Sequence, residues 1–378
     1  MTPTAGRVRP GRVRWWRARA STCRRACLGT CAAILLAPAA AASDPVASLN
    51  SLVPGLLRSA HVPSVSIARI EHGRLAFAVA FGEQSPGVRA TPATLYNVAS
   101  LTKPITAEVI LRLVASGRLS LDEPMYRYWT DPDIATDERR KLLTPRLALS
   151  HRTGFPNWRP RGMPLTFNSP PGAAYGYSGE GFEYLARFAE KKSGVAFETL
   201  AQRLVLSPAH MNDTAYTSRP WFAGRIAIPA DASGAPLVPE STTALIASDL
   251  LYTTATDYAR FMVRVIDHVG IPAALANERE RVQVSRKAAE CPPAKAAVCP
   301  RELGFGLGWE VYEFAIGTVL MHTGMDTGLF TFVCLDPSNR SGTVILTSGA
   351  NGAEVVLPVL EAVGHEPGLV AFLRTAGK

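Results

Sequence analysis

The chain has 378 residues, with 40 Lys and Arg against 31 Asp and Glu, and a formal net charge of +9. Eight arginines and no acidic residue lie within residues 1–42, so the remaining 336 residues carry 32 basic and 31 acidic side chains. This near balance excludes the broad basic surface of a nucleic-acid-binding protein. The length allows a large core, in one domain with an insertion or in two closely packed domains.

Residues 1–42 have the pattern of a secretory signal peptide. An arginine-rich start is followed by an apolar run, and Ala40-Ala41-Ala42 supplies the small residues of a cleavage site. The apolar run is shorter than the roughly 20 residues of a membrane span. The sequence therefore predicts an exported protein, periplasmic or secreted, whose contact with a membrane is limited to its export signal. Arg24-Arg25 leaves the twin-arginine route open beside the general secretory route.

The first predicted elements after the signal are a helix, a β-hairpin and a second helix. Apolar residues between Val46 and Leu57 repeat at helical spacing. Two strand-like runs at 65–70 and 75–81 are joined by a short turn that contains Gly73, as in a hairpin. A loop with Gly and Pro then leads to an apolar helical pattern that begins near residue 100.

The middle of the chain predicts helices, and its end predicts strands. Helical patterns are broken by Pro and Gly at 142–149, 180–192, 197–206 and 256–268, and 276–300 is typical of an exposed charged excursion. Strand-like runs follow at 306–313, 318–322, 329–335 and 342–347, and a helix at 353–363 closes the chain. We expect one sheet assembled from both ends of the chain, with an α/β part at about 43–118 and 302–378 and a helical part at about 119–301.

Three of the six cysteines lie outside the predicted signal peptide. Cys291 and Cys299 flank a proline-containing stretch, and a disulfide between them is favoured over metal binding because no nearby histidine completes a ligand set. Cys334 lies in a strand-like run and is predicted to be a buried thiol.

Ser100 and Lys103 have the spacing of a nucleophile and its base. Residues three apart on a helix lie about 60° apart around its axis, which is close enough for a hydrogen bond. A lysine accepts a proton from serine only if burial or a neighbouring cation lowers its pKa. The start of a helix also directs free backbone N–H groups toward an oxyanion. Taken alone the pair is weak evidence, since both residues are common on solvated helix faces.

Two later segments carry further polar candidates. Tyr177 follows a Gly/Pro-rich loop and precedes a helical pattern, and a tyrosine can relay protons. His322-Thr323-Gly324 ends a strand-like run, where Gly324 permits a close backbone approach. Each also has a purely structural interpretation, Tyr177 as a core aromatic and His322 as a strand-end surface residue.

The order of these three elements resembles the signature of the serine β-lactamases and penicillin-binding proteins. The likeness is strongest to the branch of class C β-lactamases, DD-peptidases and related esterases, in which the second element is Tyr-x-Asn. Segments 149–156, 250–257 and 306–309 also resemble segments of that family. The resemblance covers nearly all of residues 43–378.

The resemblance implies an α/β (α+β) fold, a β-lactamase/transpeptidase-like sandwich with an antiparallel sheet flanked by helices and a helical region. It makes Ser100 the acylated nucleophile, Lys103 its proton acceptor and Tyr177 the second acid/base group. The backbone N–H groups of Ser100 and Met325 would form the oxyanion hole. The implied reaction is acyl transfer through a covalent intermediate on a small-molecule or peptide substrate, with no metal and no cofactor.

The resemblance implies four substrate-binding residues, His322, Thr323, Gly324 and Gly179. Two of them, Gly179 and His322, depart from the family pattern. Gly179 stands where the family usually has the Asn of Tyr-x-Asn, which argues against efficient β-lactam turnover. His322 stands where the family often has Lys. Because histidine is only partly protonated near neutral pH, recognition of a substrate carboxylate should be weaker and pH-sensitive.

Other polar and aromatic residues have weaker functional interpretations. His151 is expected to brace a loop rather than to perform chemistry. Trp158 and Trp309 are expected either to line the site or to pack in the core. Asp249 and Asp257 are expected to cap helices.

The favoured function is an exported esterase- or peptidase-like serine hydrolase that acts on an ester, amide or peptide. A class C-like β-lactamase or a DD-peptidase is the alternative within enzymes. A non-catalytic module that binds cell-wall peptides is the alternative from another class, but Ser100, Lys103 and Tyr177 argue against it, because binding alone needs no nucleophile with two bases.

Overall fold

A computed structural model describes residues 44–364 and 367–375. The predicted signal peptide at 1–42 lies outside these residues. The helices are α1 (Pro45–Ala60), α2 (Thr102–Ala115), α3 (Pro145–Leu149), α4 (Gly179–Ser193), α5 (Phe197–Ala201), α6 (Ala255–Ile266), α7 (Ala273–Glu280), α8 (Lys287–Glu290), α9 (Ala353–Ala362) and α10 (Pro367–Leu373). The strands are β1 (Ser64–Glu71), β2 (Arg74–Ser85), β3 (Val88–Arg89), β4 (Tyr96–Asn97), β5 (Tyr252–Thr253), β6 (Val284–Ser285), β7 (Glu302–Phe305), β8 (Glu310–Phe314), β9 (Gly317–Asp326), β10 (Leu329–Asp336) and β11 (Ser341–Thr347).

Nine of these strands form one antiparallel sheet in the order β3-β2-β1-β11-β10-β9-β8-β7-β6. The first long strand lies beside the last, because β1 pairs with β11 from Val65 opposite Thr347 to Ile70 opposite Gly342. The sheet therefore joins the two ends of the chain, which confirms the predicted α/β sandwich.

The two faces of the sheet bury different sets of side chains. Successive residues of a strand point to opposite faces, so Val65 and Ile67 of β1 pack with α1, α9 and α10. Ala68 and Ile70 belong to the larger core on the other face, together with α2, α4 and α6. The helical region thus covers one face of the sheet, and α2 lies between them.

Two predictions at the C-terminal end were wrong in detail. The expected strand at 306–313 begins only at residue 310, as β8. Residues 306–309 form a turn between β7 and β8, in which the N–H of Gly306 donates to the carbonyl of Trp309 at 2.8 Å. Gly308 has φ +86 and a Cβ there would lie 2.2 Å from that of Ala107, so the chain must turn tightly against α2. The helix at 353–363 does not close the chain, because α10 follows it.

The segment at 276–300 is more ordered than the predicted exposed excursion. It contains the end of α7, the edge strand β6 and the short helix α8, and the side chain of Arg279 within it is fully buried. Cys291 and Cys299 form a disulfide, with 5.9 Å between their Cα atoms, and Cys334 is a buried free thiol. Both cysteine predictions are confirmed. Among the described residues, no helix combines the length and the apolar character that a membrane span requires.

Candidate active site

Ser100 lies in a 3₁₀ turn, Ala99–Leu101, which leads directly into α2. Ala99 has φ 46, in the left-handed region that non-glycine residues rarely adopt. Its N–H donates to the side-chain oxygen of Asn97 at 2.8 Å, and its carbonyl accepts from the hydroxyl of Thr102 at 2.7 Å. The turn that presents Ser100 is therefore held from both sides against its strain.

Lys103 reaches back from the first turn of α2 to Ser100. Its Nζ donates to the Ser100 Oγ at 2.9 Å and to the carbonyl oxygen of Ser248 at 2.9 Å. The side chain is fully buried. The predicted pairing of the two residues on one helical face is present in the structure.

The burial of Lys103 makes its neutral form more accessible than in an exposed lysine. Burial lowers its pKa to about 8, although the negative charges of Asp249 and Glu183 act in the opposite direction. Glu183 is held by the N–H and the hydroxyl of Ser248, which donate at 2.9 and 2.6 Å. The amine is thus a candidate base near neutral pH, as proton abstraction from serine requires.

Tyr177 lies over the same pair. The Lys103 Nζ is 4.9 Å from the centre of the Tyr177 ring. Burial raises the pKa of Tyr177 strongly, and a hydrogen bond with the side chain of Ser100 offsets only part of this. The phenol is therefore protonated near neutral pH, so the structure presents it as a proton donor beside Ser100.

The second half of the predicted oxyanion hole lies on β9. β8 pairs with β9 only as far as Met321, so the part of β9 that contains Met325 extends past β8 while still pairing with β10. The 3₁₀ turn packs there against Gly324, where a Cβ would lie 2.2 Å from the carbonyl oxygen of Val98 and 3.2 Å from the backbone nitrogen of Ser100. The glycine therefore admits the backbone of the nucleophile turn itself.

His322 is buried close to Tyr177, with 6.3 Å between the ring centres. Its Nδ1 lies 2.8 Å from the carbonyl oxygen of Thr323, so Nδ1 carries a proton and Nε2 of the neutral ring is an acceptor. Nε2 is buried with no hydrogen-bond partner among the described residues. Burial, then the charge of Lys103, lower the pKa of His322 to about 3. The ring is therefore neutral near pH 7, unlike the partly protonated ring expected from the sequence.

Gly179 is the first residue of α4 and lies one helical turn before Glu183, which faces Lys103. Its N–H donates to the side-chain oxygen of Asn157 at 2.9 Å. A Cβ at this position would lie 3.0 Å from the carbonyl oxygen of Asn157 and 3.0 Å from ring carbons of Trp158. The indole of Trp158 thus fills the space beside Gly179 that a side chain would need.

The structure gives different roles to three of the weaker candidates, Trp309, Asp257 and Asp249. Trp309 is fully buried and stacks on Phe261 with 6.3 Å between ring centres, so its role is packing. Asp257 lies in the first turn of α6, where the hydroxyl of Thr254 caps its N–H at 3.1 Å. Asp249 does not lie at the start of a helix, so it is not the expected cap. Burial raises its pKa while the charge of Lys103 lowers it, so its carboxyl group interacts with Lys103.

Sequence reasoning missed the residues that surround Lys103 from other segments. Glu183 was detectable in principle, because it lies one helical turn after Gly179 on a helix with several buried residues. Ser248 contributes only a backbone carbonyl, which no residue pattern reveals. Thr331 donates to the carbonyl of Val98 at 2.9 Å and braces the nucleophile turn, but it reads as an ordinary strand residue.

The fold and the site define a class of enzyme, the serine acyl hydrolases in which a buried lysine contacts the serine one helical turn before it. The chain is a serine hydrolase and belongs to the β-lactamase family, since the family model described as Beta-lactamase matches residues 49–363. The family resemblance seen in the motifs is therefore confirmed.

Relatives of known name span most of the chain. The D-alanyl-D-alanine-carboxypeptidase/endopeptidase AmpH of Escherichia coli K12 is 23% identical over 293 residues, which is 71% of this chain and 75% of AmpH. The D-alanine carboxypeptidase AmpC of Burkholderia cenocepacia superposes with a TM-score of 0.70 at 20% identity, covering 86% of this chain and 100% of that one. A class C β-lactamase superposes with a TM-score of 0.72 at 16% identity, covering 86% and 97%. The structural likenesses show the shared fold.

Proposed function

We propose that the chain is an exported acyl hydrolase that acts on an ester, amide or peptide through a covalent intermediate at Ser100. One observation carries this proposal, the 2.9 Å hydrogen bond between the Lys103 Nζ and the Ser100 Oγ. Burial lowers the pKa of that lysine to about 8, so the free base is far more populated near neutral pH than in an exposed lysine. A surface lysine would be protonated and unable to accept the serine proton.

The proposed reaction has two halves. In acylation, Lys103 takes the proton of Ser100 as its oxygen attacks the substrate carbonyl, and Tyr177 gives a proton to the leaving group. Lys103 then returns its proton to Tyr177, which restores both groups. In deacylation, Lys103 takes a proton from a water as that water attacks the acyl carbon, and it gives this proton to the Ser100 oxygen as the acyl bond breaks. The backbone N–H groups of Ser100 and Met325 would stabilise the negative oxygen in both halves.

The substrate side of the site supports an esterase- or peptidase-like activity. Neutral His322 offers a hydrogen-bond acceptor rather than a positive charge, so a substrate carboxylate gains no ion pair from it. Trp158 occupies the space beside Gly179, so an asparagine side chain, as in the family's Tyr-x-Asn element, would be too close to the Trp158 ring. Neutral acyl groups are the favoured substrates.

A DD-peptidase activity is the second candidate, and a class C-like β-lactamase is the third. The DD-peptidase activity is supported by the relative named D-alanyl-D-alanine-carboxypeptidase/endopeptidase, which aligns with 71% of this chain. Hydrolysis of a short-chain nitrophenyl ester, a D-alanyl-D-alanine peptide and a chromogenic cephalosporin by the same preparation compares the three directly. We expect the cephalosporin to have the lowest kcat/KM, and the highest value for it would overturn the preference.

The covalent step has its own test. The protein is exposed to a fluorophosphonate or a β-lactam and analysed by peptide mass spectrometry. We expect one adduct, on the peptide that contains Ser100, and none in Ser100→Ala. Labelling at another residue, or equal labelling of the variant, would falsify the assignment of the nucleophile.

Export is proposed from residues 1–42 and from the Cys291–Cys299 disulfide, which suits an oxidising compartment. Fractionation of cells that express the full chain should recover it outside the cytoplasm with residues 1–42 removed. Replacement of Arg24 and Arg25 by Lys should abolish export only if the twin-arginine route is used. A full-length chain retained in the cytoplasm would contradict the export proposal.

A further inference from the structure

His151 lies directly behind Tyr177, at the end of α3. Their rings stack with 4.3 Å between centres and 29° between planes. Phe305 meets the His151 ring at 89°, with 4.6 Å between centres, and Phe182 packs at 5.2 Å. The imidazole is fully buried. It is therefore a fixed surface against which the Tyr177 ring rests.

Hydrogen bonds that His151 accepts hold the residues on both sides of Tyr177. The backbone carbonyl of His151 accepts from the N–H of Gly176 at 2.9 Å. Its Nδ1 accepts from the N–H of Ser178 at 3.0 Å. Together with the ring stacking, one residue thus contacts three successive residues, and the middle one carries the phenol.

We propose that His151 is a positioning residue that orients the Tyr177 hydroxyl toward Ser100. The inference rests on the proposed function, because it assigns His151 a role only through the proton transfer by Tyr177. Stacking limits the rotation of the phenol ring, and the two hydrogen bonds fix the backbone that carries it. A small displacement of a catalytic group lowers a rate by as much as about 100-fold.

The ring can accept from Ser178 only while Nδ1 is unprotonated. Burial, followed by the positive charge of Lys103 and then that of Arg286, holds the pKa of His151 well below its ordinary value. The hydrogen bond is therefore intact across the pH range of ordinary assays. A loop-bracing role alone, as expected from the sequence, would lower stability without acting through the Tyr177 hydroxyl.

The choice of variants follows from the backbone. His151 has φ 56, which glycine and asparagine tolerate best. His151→Gly removes the ring and the Nδ1 acceptor, whereas His151→Asn keeps an acceptor at the equivalent atom but removes the ring. His210 is an exposed histidine with φ 54, so His210→Gly is the matched control for the substitution itself.

A double-mutant cycle on a neutral alkyl ester, whose alkoxide leaving group must be protonated, tests the proposal. In the wild-type background we expect His151→Gly to lower kcat/KM by about 10- to 100-fold, His151→Asn to lower it less, and His210→Gly to leave it unchanged. In the Tyr177→Phe background no hydroxyl remains to be oriented, so His151→Gly should change kcat/KM by less than about twofold. An equal loss in both backgrounds would overturn the proposal.

Two further measurements keep the outcomes distinct. Circular dichroism and thermal unfolding identify a variant that fails to fold, in which case His151→Asn, with its retained acceptor, completes the cycle. Fluorophosphonate labelling of wild-type Ser100 tests the proposed function separately. If Ser100 is labelled and Tyr177→Phe lowers kcat/KM while neither His151 variant does, only this inference is refuted. If Ser100 is not labelled, the proposed function is refuted.

Discussion

A lysine becomes a base at this site because of what surrounds it. Ser-x-x-Lys places the two side chains within hydrogen-bond distance, but an exposed pair of this kind would be a protonated amine beside an unreactive hydroxyl. Here burial lowers the pKa of Lys103 to about 8, while Glu183 and Asp249 limit that shift. Burial and the two carboxylates together therefore set the pH at which the proposed base becomes free.

The pH dependence of the reaction follows from that pKa. Lys103 accepts a proton only when neutral, so kcat/KM for a neutral ester should rise with pH up to about 8 and level off above it. Lys103→Met should lower kcat/KM by about 10²- to 10⁴-fold. The measurement is kcat/KM for a nitrophenyl ester across this range.

The matched control is Lys191→Met, which removes an exposed lysine far from Ser100 in the sequence and should leave the profile unchanged. A wild-type profile that is flat through pH 8 would contradict the role of Lys103 as the titrating base. Retention of full activity by Lys103→Met would contradict its role altogether.

Gly179 and Trp158 form a second pair whose coupling is testable. Gly179→Asn forces a side chain against the Trp158 ring, 3.0 Å from the new Cβ, and should lower the free energy of unfolding by about 1–3 kcal/mol. In the Trp158→Ala background the same change should cost less, because the clash is removed. Thermal unfolding measures both effects.

Gly176→Asn is the control, since a Cβ at Gly176 meets nothing within 4 Å. Equal destabilisation at positions 176 and 179 would show that Trp158 is not the obstacle. Cephalosporin hydrolysis measured on the same variants reports whether the restored asparagine confers β-lactam turnover.

At the scale of single residues, local spacing was informative and distant contacts were not. The Ser100–Lys103 hydrogen bond was predictable because helical geometry alone brings residues three apart together. The carbonyl of Ser248, 145 residues from Lys103 in sequence, was not predictable, since its approach depends on the whole tertiary fold. The neutral state of His322 was missed for the same reason, because its pKa is set by burial.

Among the secondary-structure elements, the contact between the nucleophile turn and β9 determines the geometry of the proposed oxyanion hole. A Cβ at Gly324 would lie 2.2 Å from the Val98 carbonyl oxygen and 2.3 Å from the Thr331 hydroxyl. Gly324→Ala should therefore separate turn and strand, lower the free energy of unfolding by about 1–3 kcal/mol and lower kcat for ester hydrolysis by about 10²-fold. Denaturant unfolding and steady-state kinetics measure the two effects.

Gly55→Ala is the comparison, because this glycine lies in α1 and a Cβ there would meet only the end of the Arg58 side chain at 3.9 Å. It should leave kcat unchanged and raise stability slightly, since alanine favours a helix over glycine. Unchanged kcat in Gly324→Ala would contradict the close approach as a requirement for catalysis.

The elements that were predicted well are those with a clear apolar period. The hairpin of β1 and β2 and the strand β10 follow from alternating or continuous apolar runs. The strand β7 was not predicted, and the start of β8 was placed at residue 306 instead of 310, because Gly306 to Trp309 continue the apolar pattern while their backbone turns. That turn is set by the packing of Gly308 against α2, which local sequence does not encode.

At the scale of the whole molecule, a buried ion-pair network joins α2, the helix that carries Lys103, to α7. Glu108 of α2 is fully buried and accepts from Arg112 at 2.5 Å and from Arg279 of α7 at 2.8 Å. Arg279 also donates to the carbonyl of Val265 at 2.9 Å. The guanidinium of Arg279 thus joins three helices that are separate in the sequence, α2 through Glu108, α6 through Val265 and its own helix α7.

Loss of Arg279 should therefore destabilise the whole chain. Removing one partner leaves a buried charge less well compensated, so Arg279→Met should lower the free energy of unfolding at pH 7 by about 3–5 kcal/mol. Arg281→Met is the control, because that side chain is 61% exposed and pairs at the surface with Glu278; surface pairs contribute about 1 kcal/mol or less. Denaturant unfolding of the two variants at pH 7 measures the difference.

The pH dependence of this loss identifies Glu108 as its source. Burial raises the pKa of Glu108, but the charges of Arg279 and Arg112 outweigh burial and hold it below its ordinary value. A carboxyl with a lowered folded-state pKa stabilises the protein above its unfolded pKa, and this contribution is lost as pH falls through the folded pKa. The stability difference between wild type and Arg279→Met should therefore be full at pH 7 and shrink below the ordinary carboxyl range. A difference that stays constant into acid would show that packing of Arg279, rather than its charge on Glu108, holds the three segments together.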